Sequence, residues 1–320
     1  MSGSPRRAHV RALAKVNLSL KVLGRRADGF HELRTVFQTI SLADALEFEF
    51  TPGRRSSLTV RSRPEIPDNL VERAARLVLE ATRTTGCVEI RLAKRIPMGA
   101  GLGGGSSDAA AVLLALPVLA GKRLGLEQLI ETAAVLGSDV PYFLLGGRAL
   151  GLGRGAELYP LPDESPAQAL VVAPDVHVST AGAYGSLGGE LTSEAPQNII
   201  NSFQSWVWGQ TGRAAERPAP AVGQNDFEAA VFASHPQLKS LKRQLETQGA
   251  RSVLLSGSGS ALFGIFPHRA EAERAGRSFR NERVFAVSFV SRARYRSLWR
   301  RWLEPHIAGR RWPPQSRYAQ

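Results

Sequence analysis

The stretch Pro97-Met98-Gly99-Ala100-Gly101-Leu102-Gly103-Gly104-Gly105-Ser106-Ser107-Asp108-Ala109-Ala110-Ala111-Val112-Leu113-Leu114-Ala115-Leu116 decides how the chain is read. Val88, Ile90 and Leu92 alternate before it and predict a strand, and the alanine- and leucine-rich run after it predicts a helix. The glycines therefore occupy a strand-to-helix turn. Lacking a Cβ, they can take positive φ and let a ligand come close to the backbone. Ser106, Ser107 and Asp108 are expected to supply N-cap oxygens, at the end of the helix where amides are unpaired and the dipole is positive. Amides converging in such a turn form an anion nest, so the stretch reads as a phosphate site.

Gly99, Gly101 and Gly104 satisfy the dinucleotide spacing G-x-G-x-x-G. No acid closes a strand about twenty residues further on, however, and the unit does not open a βαβ repeat. A P-loop requires Lys and a hydroxyl residue after its last glycine, whereas Ser106 and Ser107 follow Gly105. The H-R-D and D-F-G signatures of protein kinases are absent. The run from Pro97 to Ala110 instead resembles the ATP-binding motif of the GHMP kinases, a superfamily of small-molecule kinases that includes galactokinase, homoserine kinase and mevalonate kinase. That resemblance implies that every residue from Pro97 to Asp108 borders ATP, with the loop wrapped around its phosphates.

At 320 residues the chain is long enough for about two domains. An apolar fraction of 43% without low-complexity tracts indicates an ordinary globular protein. No apolar run reaches the length needed to span a bilayer, and no signal-peptide core is evident, so a cytoplasmic location is expected. Cys87 is the single cysteine; its place before Val88 and Ile90 suggests a buried thiol. The net charge of +13 attracts nucleic acid, anionic membrane or phosphorylated small molecules alike. Its densest part is the final thirty residues, where arginines alternate with Trp299, Trp302, Trp312, Tyr295 and Tyr318. Such a mixture can bind single strands, but a solvated extension with its tryptophans packed on the body is the plainer expectation.

Near the start, Val16, Leu18, Leu20 and Val22 alternate with Lys15, Asn17, Ser19 and Lys21, which predicts a strand with one apolar face and a polar face turned outward. Asp28-Gly29 supplies a turn and leads directly into Phe30 and His31. Together with Ala14-Lys15-Val16-Asn17-Leu18, this segment resembles one branch of the superfamily, the 4-diphosphocytidyl-2-C-methylerythritol kinases of the non-mevalonate route to isoprenoid precursors. The resemblance implies that Phe30 stacks on a cytosine and that His31 bonds its edge, with Phe30 standing where Tyr is usual. Asn69, in a segment that starts a helix, and Lys94, before the glycine loop, are implied to border the nucleotide base and ribose.

Leu126 to Leu136 reads as an amphipathic helix stopped by Gly137, and Ser138-Asp139-Val140-Pro141 follows. By residue type alone Asp139 is a helix cap. Gly-x-Asp-Val-Pro resembles the second GHMP signature, which makes Asp139 the implied base and Lys15 its electrostatic partner. Tyr184, in Ser179-Thr180-Ala181-Gly182-Ala183-Tyr184, resembles a second aromatic for the cytosine. The Ser256 to Ser260 turn resembles the third signature and brings Ser258 and Gly259 to the substrate. No His, Cys, Asp or Glu cluster has metal spacing, so magnesium is expected to arrive with ATP and to touch at most Ser106 or Ser107.

The expected architecture is α+β: an ATP domain like the ribosomal protein S5 module over residues 1–160, a ferredoxin-like domain over 161–290, and a basic aromatic tail over 291–320. The expected activity is ATP-dependent phosphorylation of a cytidine diphosphate alcohol at its 2-hydroxyl. A homoserine- or mevalonate-type kinase, which would not need Phe30 and His31, and a nucleic-acid-binding role for the tail are the alternatives. The expected partner is that small molecule, with no obligatory nucleic acid, no membrane, and a monomeric or homodimeric state.

Overall fold

The computed structural model describes residues 4–163, 167–186 and 223–319. Two long strands organise the first half: β1 (Arg6–Arg25) and β2 (His31–Pro52) pair antiparallel along almost their whole length. The other edge of β2 is shared. Its second half pairs with β4 (Gly86–Ala93), which pairs in parallel with β3 (Ser57–Arg63). Its first half pairs with β5 (Arg148–Gly153), followed by β6 (Glu157–Pro160). The pairing of β3 with β4 is parallel because α1 (Leu70–Ala81) makes the crossover between them.

Behind this sheet lies α2 (Gly104–Ala120), apolar on all sides and buried from Ser107 to Leu119, as a helix enclosed by other elements must be. It packs with α1, α3 (Leu126–Leu136) and α4 (Val140–Leu145) in one core. The second sheet runs β10 (Arg283–Ser288), β7 (Gln168–Ala173), β9 (Leu262–Phe266), β8 (Ser252–Leu255), all antiparallel. One face, with Leu170, Val172, Val253, Leu255 and Leu262, joins the core formed with the helices α6 (Phe227–Ser234), α7 (Pro236–Thr247) and α8 (Arg269–Gly276). The short helix α5 (Thr180–Gly185) follows β7 in the chain. The opposite face, with Val171, Leu254 and Phe263, packs onto Ala14, Val16, Leu18 and Ile40 of the first sheet. The middle of β1 is thus sandwiched, and Lys15 and Asn17 are buried, whereas periodicity had turned them outward. Register shifts between Leu13 and Lys15 and between Asn17 and Ser19 accompany the change.

The final segment is no separate tail. Ser291 caps α9 (Arg292–Leu303), which drives Tyr295, Trp299 and Leu303 into the core of the first domain. The aromatic rings that composition offered for stacking on nucleic acid include the buried Tyr295 and Trp299. Cys87 is exposed, not buried: Val88 and Ile90 point inward, so the strand alternation turns position 87 out.

Candidate active site

The glycine loop takes the form its sequence requires. Gly99, Gly101 and Gly103 all have φ near +70°, and α2 begins at once with Gly103 as its N-cap. A Cβ at Gly101 would lie 2.0 Å from the Ser256 carbonyl, because the Ser256–Ser260 turn of the second domain presses on the loop. Ser256 Oγ donates to Gly101 O, and the Ala261 amide donates to Ala100 O. From the other side the Lys15 amide donates to Leu102 O. Ala100 and Leu102 are buried and Met98 is exposed, so what the loop offers a ligand is mainly backbone. The helix starts earlier than the cap residues proposed for it. Ser107 Oγ donates inward to Leu13 O and Asp108 turns to Lys94, leaving Ser106 as the loop hydroxyl without a side-chain hydrogen bond to the described residues.

Lys94 does not open toward a nucleotide. Its ammonium is clamped between the carboxylates of Asp44 and Asp108, both buried. Asp44 also accepts the amides of Arg95 and Ile96. Burial would lower the Lys94 pKa, but Asp108 and Asp44 together raise it. Burial pushes the Asp108 carboxyl up to about 8, against the opposing pull of Lys94. Asn69 Oδ1 caps α1 by accepting the Val71 amide.

On the opposite flank of the loop stands Lys15. A Cβ at Gly103 would approach its Cγ to 3.2 Å. Its Nζ lies 3.5 Å from Asp139 Oδ2 and donates to Asn17 Oδ1 at 2.7 Å. Asn17 Nδ2 donates to Thr35 Oγ1, and Thr35 to Ser19 O, which fixes the amide's orientation. Burial lowers the Lys15 pKa, with Asp139 opposing. Asp139 occupies the N-cap position of α4 but makes no side-chain cap bond, so its carboxylate is not spent on the helix. The terminal segment braces that helix: Tyr295 Oη donates to Phe143 O and Trp312 Nε1 to Leu144 O.

Lys15, Asn17, Asp139, Gly101 and Gly103 line one cleft of about 930 Å³ together with Phe30, His31, Tyr184 and Ser258. Gly259 lies behind this surface, against Leu255. Thr180 and Ser258 share a hydroxyl hydrogen bond across the second-domain wall. Tyr184 stacks on His31, with ring centroids 4.6 Å apart and planes at 22°, and the Arg154 guanidinium lies over Phe30. Burial raises the Tyr184 pKa to about 12, with Asp139 adding to the effect.

The sequence reading missed Arg154, Asp44, Thr35 and Asn225. Asn225 Nδ2 donates to the carbonyls of Leu255 and Gly257 and so fixes the turn beneath Ser258. For Arg154 the available signal was its place between Gly153 and Gly155.

Residues 69–147 match the GHMP kinases N terminal domain and residues 208–284 the GHMP kinases C terminal domain. A 4-diphosphocytidyl-2-C-methyl-D-erythritol kinase of Solibacter usitatus is 57% identical over 317 residues, 98% of either chain. The chain belongs to the 4-diphosphocytidyl-2-C-methyl-D-erythritol kinase family, within the GHMP kinases. A crystal structure of a 4-(cytidine 5'-diphospho)-2C-methyl-D-erythritol kinase superposes with a TM-score of 0.73 at 41% identity, covering 88% of this chain and 98% of that one. A homoserine kinase from Cytophaga hutchinsonii shares the fold at 20% identity and a TM-score of 0.65, over 89% of this chain and 95% of its own. Within the described residues no helix is long and apolar enough to cross a membrane.

Proposed function

We propose that this family member transfers the γ-phosphoryl group of ATP to the 2-hydroxyl of 4-diphosphocytidyl-2-C-methyl-D-erythritol. The observation that carries the reading is the Lys15–Asp139 pair, set in one cleft with the glycine nest and the His31–Tyr184 stack. Phosphoryl transfer asks a protein to align donor and acceptor and to offset the charge of the transferring group. Here the amides of Gly99 to Gly105 would hold the ATP phosphates, and Asp139 would accept the proton of the attacking hydroxyl. Lys15, positioned by Asn17, would orient that hydroxyl and set positive charge beside the reacting oxygens.

The donor set fits a magnesium ion carried largely by phosphate. No group of three His, Cys, Asp or Glu side chains converges among the described residues, while the Ser106 hydroxyl and the Asp139 carboxylate stand near the loop. Bound there, the ion would screen phosphate charge. Phe30 and Tyr184 would stack on the pyrimidine, and His31 would bond its edge.

The test is direct: purified protein with ATP, magnesium and the cytidine diphosphate alcohol, followed by phosphorus magnetic resonance. A new phosphomonoester on the substrate, with homoserine and mevalonate untouched, is expected. Turnover of either simple alcohol in preference would overturn the substrate assignment.

A further inference from the structure

Asp139 owes its place to the backbone beneath it. Its carboxylate makes no helix-cap bond and comes no closer to Lys15 than 3.5 Å, so α4 decides where the acid stands. That helix has six residues and is followed by Gly146 and Gly147, both at positive φ. So short a helix is marginal alone and keeps its place through its neighbours. Carbonyls in the last turn of any helix lack partners within it and need donors from elsewhere.

For α4 those donors come from the far end of the chain. Tyr295 Oη donates to Phe143 O at 2.5 Å, and Trp312 Nε1 donates to Leu144 O at 3.1 Å. The approach is so close that a Cβ at Gly146 would lie 2.3 Å from the Tyr295 ring, and one at Gly147 2.6 Å from the Arg292 amide nitrogen. Tyr295 is buried, and its ring meets those of Trp299 and Trp312 edge-on. The same segment reaches the C-terminal end of α2, which packs along α4 and begins at the glycine nest. There the buried Ser316 donates from Oγ to Val118 O at 2.6 Å. Arg6 donates to Leu119 O beside it, with its guanidinium over the Tyr318 ring. One terminal stretch thus ties down the rear ends of the two helices whose front ends carry the glycine nest and Asp139.

Resting on the functional reading above, we propose that residues 291–318 are a positioning device for the phosphoryl transfer, in which Tyr295 and Trp312 hold α4 against α2 and so set Asp139 relative to the phosphate at the glycine loop. Neither side chain lines the cleft, so both act through the backbone of α4. The leverage is large, because a shift of about 1 Å at a reacting group can cost about 10²-fold in rate.

Tyr295→Phe removes one hydroxyl and keeps the ring against Gly146, and Trp312→Phe removes the other donor. In protein shown by circular dichroism to be folded at the assay temperature, each is expected to lower kcat by about 3- to 30-fold. The KM for ATP and for the cytidine diphosphate alcohol should stay within about threefold, as for a contact felt mainly in the transition state. A brace that served stability alone would lower the unfolding midpoint and leave the kcat of the folded enzyme untouched. The Asp139→Asn background supplies the second readout. With the acid gone, Tyr295→Phe should change the residual turnover by less than about twofold, since groups that act through one another are not additive. Unchanged kcat in both folded single variants, or the same fold-loss with and without the Asp139 carboxylate, would overturn the proposal. If Tyr295→Phe does not fold, Trp312→Phe decides by the same two readouts. A wild-type enzyme that phosphorylates a different alcohol would remove the substrate assignment, and the same ratios read on that alcohol would still judge the brace. A wild-type protein that transfers no phosphoryl group would remove both.

Discussion

Two buried lysines flank the glycine loop at successive residues, Lys15 against Gly103 and Lys94 against Gly104, and each faces aspartate. They differ in what surrounds the carboxylate. Asp139 is 35% exposed, 3.5 Å from Lys15, and makes no helix-cap bond. Asp44 and Asp108 are 0% and 2% exposed and grip Lys94 from two sides. The lysine pKa values move in opposite directions accordingly: burial wins at Lys15, and paired carboxylates win at Lys94. A loose pair with an open acid suits chemistry, since the acid can reach a substrate and the ammonium still has charge to lend. A closed triad suits scaffolding, because its charges are consumed by each other and by the backbone that carries the loop.

The largest effect should come from the open pair. Asp139→Asn keeps the shape of the side chain and removes the proton acceptor, so kcat is expected to fall by about 10²- to 10⁴-fold. The unfolding free energy should fall by less than in the Asp44→Ala variant below, because that carboxylate caps nothing and is partly solvated, although the buried Lys15 loses its counter-charge. Retained turnover with a large loss of stability would collapse the distinction, making Asp139 a scaffold residue like Asp44.

Asp44→Ala probes the closed triad from the other direction. It strips Lys94 of one counter-charge and leaves the amides of Arg95 and Ile96 without their acceptor. A loss of about 3 to 5 kcal/mol in urea unfolding is expected, the cost of breaking a buried ionic cluster by removing one member. Full stability with a selective fall in kcat would show that the second lysine also belongs to the chemistry.

This contrast explains which parts of the molecule were legible in the sequence. The glycine loop could be read because positive φ at Gly99, Gly101 and Gly103 is a local backbone demand that few other residues meet. The helices starting near Asn69 and Leu126 carry caps and periodicity within their own segments. The burial of Lys15 and Asn17 was hidden because it arises when a second sheet, far along the chain, covers the strand that carries them. The clamp on Lys94 was hidden for the same reason: Asp44 lies fifty residues away and nothing local announces it. The terminal arginines and tryptophans looked like a tail because composition records charge, whereas spacing brings Tyr295, Trp299 and Leu303 to one buried face.

The smallest effect tests whether the triad is one unit or an unequal pair of acids. Asp108 has its pKa raised to about 8, first by burial and further by Asp44, while Lys94 pulls it down. The native state therefore binds a proton that the unfolded chain, with an ordinary carboxylate near 3.8, has released over the interval between. The stabilising contribution of the protonated form is complete below about 4 and is lost as the pH rises through about 8. Asp108→Asn replaces that protonated carboxyl with a neutral group of the same shape that can still accept from Lys94. Chemical denaturation at pH 6 should thus find the variant within about 1 kcal/mol of wild type, and denaturation at pH 9 should find it the more stable of the two, its pH slope flattened. A variant as unstable at pH 6 as Asp44→Ala would mean that both acids hold Lys94 as anions. The inequality has a structural origin: Asp44 is supported by two backbone amides in addition to Lys94, whereas Asp108 has one oxygen on Lys94 and the other buried without a partner.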